Sequence, residues 1–294
     1  MAHFRLHGLM CLGVMLGTGC KSDQGIAQLK YDDIAVTTGD FDYVEETLTR
    51  LDVGYTRYEG YITQPAYDPE FDADVIGLEA ENLFAEIDGE DPDLYSYDAL
   101  FVNSGTRGLG AFAYNGTEED DQIVADEAAL DVLRTFVDRG GGLVVSDWGY
   151  DLVEAAWPDL IDFLNDDETL DAAQVGTSES VTATVTDPTL ASRLDDQSEV
   201  QLTFDYTYWS IIDTVSDDVE VLLEGDTEYR VSDSSGYGDL ESVPLLVKMK
   251  VGGGVVLYSA FHWHAQTSAL VDEVLLYSLE GLSRGSGTDE EEGE

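Results

Sequence analysis

The chain has 294 residues, 43% of them hydrophobic and 10% aromatic, enough for one large or two small domains with a real core. Its 62 acidic and 13 basic side chains give a formal net charge of −49, and such a surface repels nucleic acid and anionic lipid head groups, which argues against both as partners. Both cysteines, Cys11 and Cys20, fall in the first 20 residues, so the body beyond Cys20 offers no cysteine nucleophile, structural disulfide or thiolate metal site.

The chain opens with Arg5, a short apolar run over 9–16 and the small residues Gly17, Thr18 and Gly19 before Cys20. A basic start, an apolar stretch and small residues mark a secretory signal; the stretch is too short to span a bilayer. The ending Leu16-Gly17-Thr18-Gly19-Cys20 resembles a bacterial lipobox, with Gly17 where lipoboxes usually carry Leu. The resemblance implies cleavage before Cys20, with 1–19 as the signal peptide. It also implies a diacylglyceryl group on the Cys20 sulfur, a palmitate-type membrane anchor. Ordinary cleavage after Gly19, leaving a free Cys20, is the alternative. Lys21 is not the aspartate that retains enteric lipoproteins at the inner membrane, which points by analogy to the outer membrane or cell surface. Residues 20–29 then form a lipidated tether, and 30–282 the folded domain.

Residues 31–37 read as a buried strand centred on Ile34, Ala35 and Val36. Asp40 is a candidate N-cap for an amphipathic helix over 41–51. A second strand is expected at 53–58, then an irregular acidic loop over 59–92. Within it, Asp68, Glu70, Asp72 and Asp74 are the best local source of hard oxygen ligands for calcium, although EF-hand spacing is absent. Adaptation to salty water, with no specific ligand, is the preferred explanation of the acidity. A strand at 97–102 ends in Asn103-Ser104-Gly105. A long helix is expected over 119–139, with Ile123, Leu130, Leu133, Phe136 and Val137 on one face, stopped by Gly140-Gly141-Gly142. A strand at 143–145 leads into Ser146-Asp147-Trp148, and helical segments are expected to about 164. Residues 170–250 form an extra β-rich segment. Strands are expected there at 178–185, 219–223, 229–231 and 243–249, with a short helix at 187–194. A last strand at 255–258 precedes His262-Trp263-His264. A final amphipathic helix spans 265–282, and 283–294 is an acidic, disordered tail.

Strands alternating with helices predict an α/β fold, a mostly parallel sheet flanked by helices. Ligands of such sheets bind outside the carboxyl ends of the strands. The strand ends here supply the candidate cleft residues Asp40, Asn103, Ser104, Ser146, Trp148 and Trp263. His262 and His264 are the only histidines beyond residue 20. Two residues apart after a strand, they can share a face and act as a general base or metal pair; structural, hydrogen-bonded histidines are the other reading. Asp147 can be a base, a metal ligand or a helix N-cap. Ser146 lacks the flanking glycines of a nucleophile elbow.

Three blocks carry a family pattern: 97–105, 133–148 and 253–262. Together they resemble the class I glutamine amidotransferase-like fold, of the flavodoxin-like type, and look most like its divergent ThuA-like and envelope-associated members. The resemblance implies a catalytic Cys at a strand-to-helix elbow, with a His and a Glu two residues on after the last strand. The elbow falls at Ser146-Asp147-Trp148 without a cysteine. His262 matches the family histidine, and His264 stands in place of the acid. The resemblance therefore implies loss of glutaminase chemistry. Two functions follow. The first is a non-catalytic, envelope-anchored binding or scaffold protein, with an envelope protein or glycan as partner and no cofactor. The second is a metal-assisted hydrolase or carbohydrate-active enzyme, with Asp147, His262 and His264 around one divalent ion.

Overall fold

A computed structural model describes residues 33–60, 78–86, 89–106, 112–115, 122–165, 173–177, 180–206, 208–231 and 236–280. The expected signal, tether and acidic tail and the calcium candidate over 68–74 lie outside the described residues, as does most of the glycine-rich stretch after Gly105.

The chain is an α/β fold on one mixed ten-stranded sheet. Six strands form its parallel half. Strand β1 (Ile34–Thr37) pairs with β2 (Thr56–Glu59) on one side and β4 (Ala99–Val102) on the other. Strand β3 (Leu78–Glu79) extends the β2 side. Beyond β4 lie β7 (Gly142–Ser146) and β14 (Gly254–Ser259). Every residue of β1, β4, β7 and β14 is buried. Strands covered on both faces need continuous apolar runs, which explains Ile-Ala-Val, Ala-Leu-Phe-Val and Leu-Val-Val at their centres.

Past β14 the sheet turns antiparallel through β13 (Tyr237–Val251), β12 (Val219–Arg230), β9 (Ser180–Val185) and β10 (Glu199–Thr203). The β-rich segment after 170 is therefore the far half of the same sheet. A separate antiparallel pair joins β8 (Ile161–Phe163) to β11 (Ile212–Val215), and another joins β5 (Phe112–Asn115) to β6 (Gln122–Ala125).

The helices cover the sheet. Helix α1 (Val44–Arg50) links β1 to β2, and α2 (Glu127–Asp138) leads into β7. Helix α3 (Tyr150–Ala156) follows β7 and packs on α2. Helix α4 (Pro188–Arg193) packs on α5 (Ala269–Glu280), which Arg50 ties to α1 through a two-pronged pair with Asp272. No helix among the described residues is long and apolar enough to cross a membrane.

Several expectations change. The helix expected over 119–139 begins only at Glu127, because the Asp126 carboxylate accepts the Ala128 and Ala129 N–H groups at 2.9 and 3.4 Å and fixes the start there. Ile123 belongs to β6, as its β-branched neighbourhood suits. The helical run expected to 164 stops at Ala156. Pro158 follows two residues later, forbids a continuing turn, and frees Ile161–Phe163 to pair as a strand. The strands expected at 219–223 and 229–231 are one strand, β12, whose register shifts near Gly225 absorb the polar interruption. Asp40 does not cap α1. The N-cap is Tyr43, without a side-chain cap, and the Val44 N–H donates instead to Asn103 Oδ1 at 3.1 Å.

Candidate functional site

The carboxyl ends of β1, β4, β7 and β14 converge on one cluster. The loop after β1 runs close over the end of β4, and Gly39 is required there: a Cβ would lie 2.2 Å from the Ser104 carbonyl oxygen and 2.9 Å from Asn103 Cβ. This close approach carries Asp42 inward, where it is fully buried. Asp42 accepts the Trp263 N–H through Oδ2 at 3.1 Å and the His264 N–H through Oδ1 at 3.2 Å. It thereby anchors the loop after β14 to the loop after β1.

Asp147 occupies the elbow after β7. Its φ of 41° is left-handed, a conformation that costs a non-glycine residue energy and persists only where the surroundings fix it. The surroundings do so. Asp147 Oδ1 accepts the Ser210 N–H at 2.8 Å and Ser210 Oγ–H at 3.2 Å. Ser104 Oγ–H donates to Oδ2 at 3.4 Å, and the Tyr258 hydroxyl donates to the Asp147 carbonyl at 3.0 Å. Ser146 Oγ accepts the Ser104 N–H at 3.0 Å, clamping β4 to β7.

His262 lies between two carboxylates. Its Nε2 is 3.0 Å from Asp147 Oδ2 and its Nδ1 is 2.9 Å from Asp205 Oδ1. His264 repeats the arrangement: Nδ1 is 2.9 Å from Asp42 Oδ1 and Nε2 is 3.3 Å from Asp205 Oδ2. The two imidazoles stack with centroids 5.7 Å apart and planes 20° apart. Because β14 ends at Ser259, this stacking does not come from the strand alternation that their spacing suggested. Asp205 follows β10 and, like Asp42, is not marked by the sequence. It is one acid among 62, and only the fold brings it to the histidines.

The electrostatics follow from this geometry. Burial opposes a charged His262, but hydrogen bonds to Asp147 and Asp205 raise its pKa to about 10. Burial likewise opposes a charged His264, which Asp205 and Asp42 raise to about 9. Asp42 is pushed up by burial, yet the His264 hydrogen bond and the charges of both rings hold it below its ordinary value. Asp205 is lowered in the same way by both histidines, against its burial. Complete burial raises Asp147, opposed by His262 and Ser210. Burial and the Asp147 charge together keep the Tyr258 hydroxyl protonated, as its donor role requires. The three carboxylates thus favour the protonated form of both rings.

The remaining candidates divide into two groups. Asn103, Ser104, Ser146 and Trp263 are buried. They brace the strand ends rather than line an open surface; the Trp263 indole N–H is buried without a partner. Asp40 and Trp148 are partly exposed. Trp148 joins an aromatic rim in which its Nε1–H donates to the Tyr208 carbonyl at 3.0 Å. Tyr206, 41% exposed, meets His262 and Phe41 edge-on at 5.3 Å each. Arg230 covers the Tyr208 ring at 4.7 Å. Asp147, His262 and His264 do not surround one open point: Asp147 faces the buried nitrogen of His262, whereas Asp205 faces both rings. Among the described residues, Asp205, His262 and His264 form the group whose ligand atoms lie within 4.8 Å of one another.

No protein-family model and no curated protein matches the chain. Solved structures similar in fold include a cytoplasmic protein from Salmonella typhimurium, 13% identical, with a TM-score of 0.49 over 86% of this chain and 99% of that one. A ThuA-like protein from Bacteroides uniformis is 11% identical, with a TM-score of 0.45 over 85% of this chain and 90% of its own. A glutamine amidotransferase from Methylobacillus flagellatus is 9% identical, with a TM-score of 0.45 over 83% and 74%. The fold class itself rests on the strand order given above.

Proposed function

We propose that this chain is a lipid-anchored protein of the bacterial cell envelope, at the outer membrane or cell surface, whose glutamine amidotransferase-like domain binds a partner without turning it over. The observation that carries the reading is the occupation of the elbow. The position that presents the nucleophile in the family it resembles holds Asp147, whose side chain is 0% exposed and engaged by Ser104, Ser210 and His262. A carboxylate so enclosed cannot meet a substrate, and no cysteine follows Cys20 to replace it. The aromatic rim of Phe41, Trp148, Tyr206 and Tyr208 is the exposed part of the site, suited to an apolar or sugar face. The net charge of −49 favours a neutral or cationic partner, an envelope protein or a glycan.

The test has two arms. Wild-type chain should sediment with membranes, and Cys20→Ser should release it to the soluble fraction; a variant that still sediments would remove the anchor from the reading. Purified full chain should show no glutamine, ester or glycoside turnover above the buffer rate. Turnover at enzymic rates, abolished in His262→Ala, would overturn the binding role.

A further inference from the structure

We propose that Asp205, His262 and His264 form a divalent-metal site of the two-histidine, one-carboxylate kind, with Asp147 and Asp42 as the buried carboxylates that orient the two rings. The ligand atoms are His262 Nδ1, His264 Nε2 and a carboxylate oxygen of Asp205. Each ring faces its own oxygen of that carboxylate, His262 Nδ1 at 2.9 Å from Oδ1 and His264 Nε2 at 3.3 Å from Oδ2, and one ligand atom from each residue can be chosen so that all three lie within 4.8 Å of one another. Ligands at about 2.0–2.2 Å from one first-row ion are separated by about 2.8–3.1 Å at octahedral angles and about 3.3–3.6 Å at tetrahedral ones, the range in which both nitrogen–oxygen separations fall.

What distinguishes this group from two surface histidines beside an acid is what the other nitrogen of each ring touches. Metal-binding histidines almost always give their other ring N–H to a carboxylate or carbonyl, which fixes tautomer and ring orientation. Here both do so. His262 Nε2 faces Asp147 at 3.0 Å, and His264 Nδ1 faces Asp42 at 2.9 Å. Each of these aspartates is fully buried and held by further donors. Asp147 is fixed by Ser210, and Asp42 by the Trp263 and His264 N–H groups. The rings are thus locked with their remaining nitrogens turned to the same carboxylate.

Accessibility is graded in the direction a ligand site requires. His262 is 3% exposed, His264 20% and Asp205 29%, so the site opens on the Asp205 side, beneath Tyr206. Three protein ligands leave at least one position for water or a ligand. Imidazole nitrogens with one carboxylate suit zinc, iron(II) or manganese(II) rather than calcium. Asp205 therefore replaces Asp147 in the ligand set that the sequence suggested, because Asp147 is on the far side of the His262 ring.

The probe is zinc alone, added to metal-stripped, detergent-purified full chain and followed by calorimetric titration at pH 8. One equivalent per chain is expected. Asp205→Ala and His264→Ala, both at partly exposed positions, should each weaken binding at least about 100-fold. Asp42→Asn, which touches no ion, should weaken it about 10–100-fold, with the metal-free melting of each variant measured as a folding control. Substoichiometric zinc, or binding unaltered in Asp205→Ala and His264→Ala, overturns the site. Binding lost in those two but unchanged in a folded Asp42→Asn shows that the buried aspartate does not orient the ring, and overturns the built site too. Membrane release and substrate turnover test the binding role separately, so either proposal can fail without the other.

Discussion

The parallel half of the sheet and its antiparallel extension meet at β14, and they are built by different rules. In the parallel half, β1, β4 and β7 are buried along their whole length. In the extension, β9 and β10 alternate strictly between exposed and buried residues, with one face toward water. The halves also contribute differently to the site. The loops after β1, β7 and β14 in the parallel half carry Asp42, Asp147, His262 and His264. The segment after β10 supplies Asp205 and Ser210, which close the cluster from the other side. The cluster is thus a seam. Each histidine belongs to the parallel half, and each needs a carboxylate from the extension to complete its partners.

The seam can be broken most severely at Asp147. Asp147→Ala leaves the His262 Nε2 and the Ser210 N–H buried without an acceptor. Removing one partner of a buried ion pair costs about 3–5 kcal/mol, so a large fall in melting temperature is expected. Asp205→Ala removes a 29% exposed carboxylate and should cost clearly less. Equal losses in the two variants would show that the seam is not anchored at the elbow.

Changing pH tests the same seam without mutation. His262 and His264 have folded pKa values raised to about 10 and about 9 from 6.5. Their stabilisation is therefore complete below about 6.5 and is lost as pH rises through 9 to 10. Asp42 and Asp205 are lowered from 3.8, so their contribution is present above that value and is lost as pH falls below it. The melting temperature of metal-free protein should be highest between about 4 and 6.5 and decline toward 10. His264→Gln should flatten the alkaline decline. A variant with the wild-type profile would exclude His264 as its source.

The smallest effect separates the rigidity of the halves. In Gly39→Ala the new methyl group meets the Ser104 backbone carbonyl at 2.2 Å, which cannot yield. In Gly225→Ala, within β12, it meets the side-chain ends of Val181 at 2.7 Å and Leu245 at 3.1 Å, which can shift. Overpacking costs about 1–3 kcal/mol, with Gly39→Ala at the upper end and Gly225→Ala at the lower. Thermal melts of the two variants in the reverse order would contradict a rigid site loop.

The sequence by itself determined the four fully buried strands of the parallel half, but not β3, which lies in the stretch expected as a loop. Continuous apolar runs at 34–36, 100–102, 143–145 and 255–258 read directly as buried strands, because burial on both faces leaves no other composition stable. The only two histidines beyond residue 20 and Asp147 stood out for the same local reasons: rarity, and position after a strand. Local pattern failed where neighbours decide. Strands β10 and β11 have short, mixed sequences whose strand state depends on pairing with β9 and β8. Asp42 and Asp205 carry no local mark among 62 acidic residues. Only the tertiary structure made one of them a buried acceptor and the other the shared partner of both rings. Charge reads off a chain one residue at a time, whereas a site is fixed by distances between segments that the chain order keeps 57 residues or more apart.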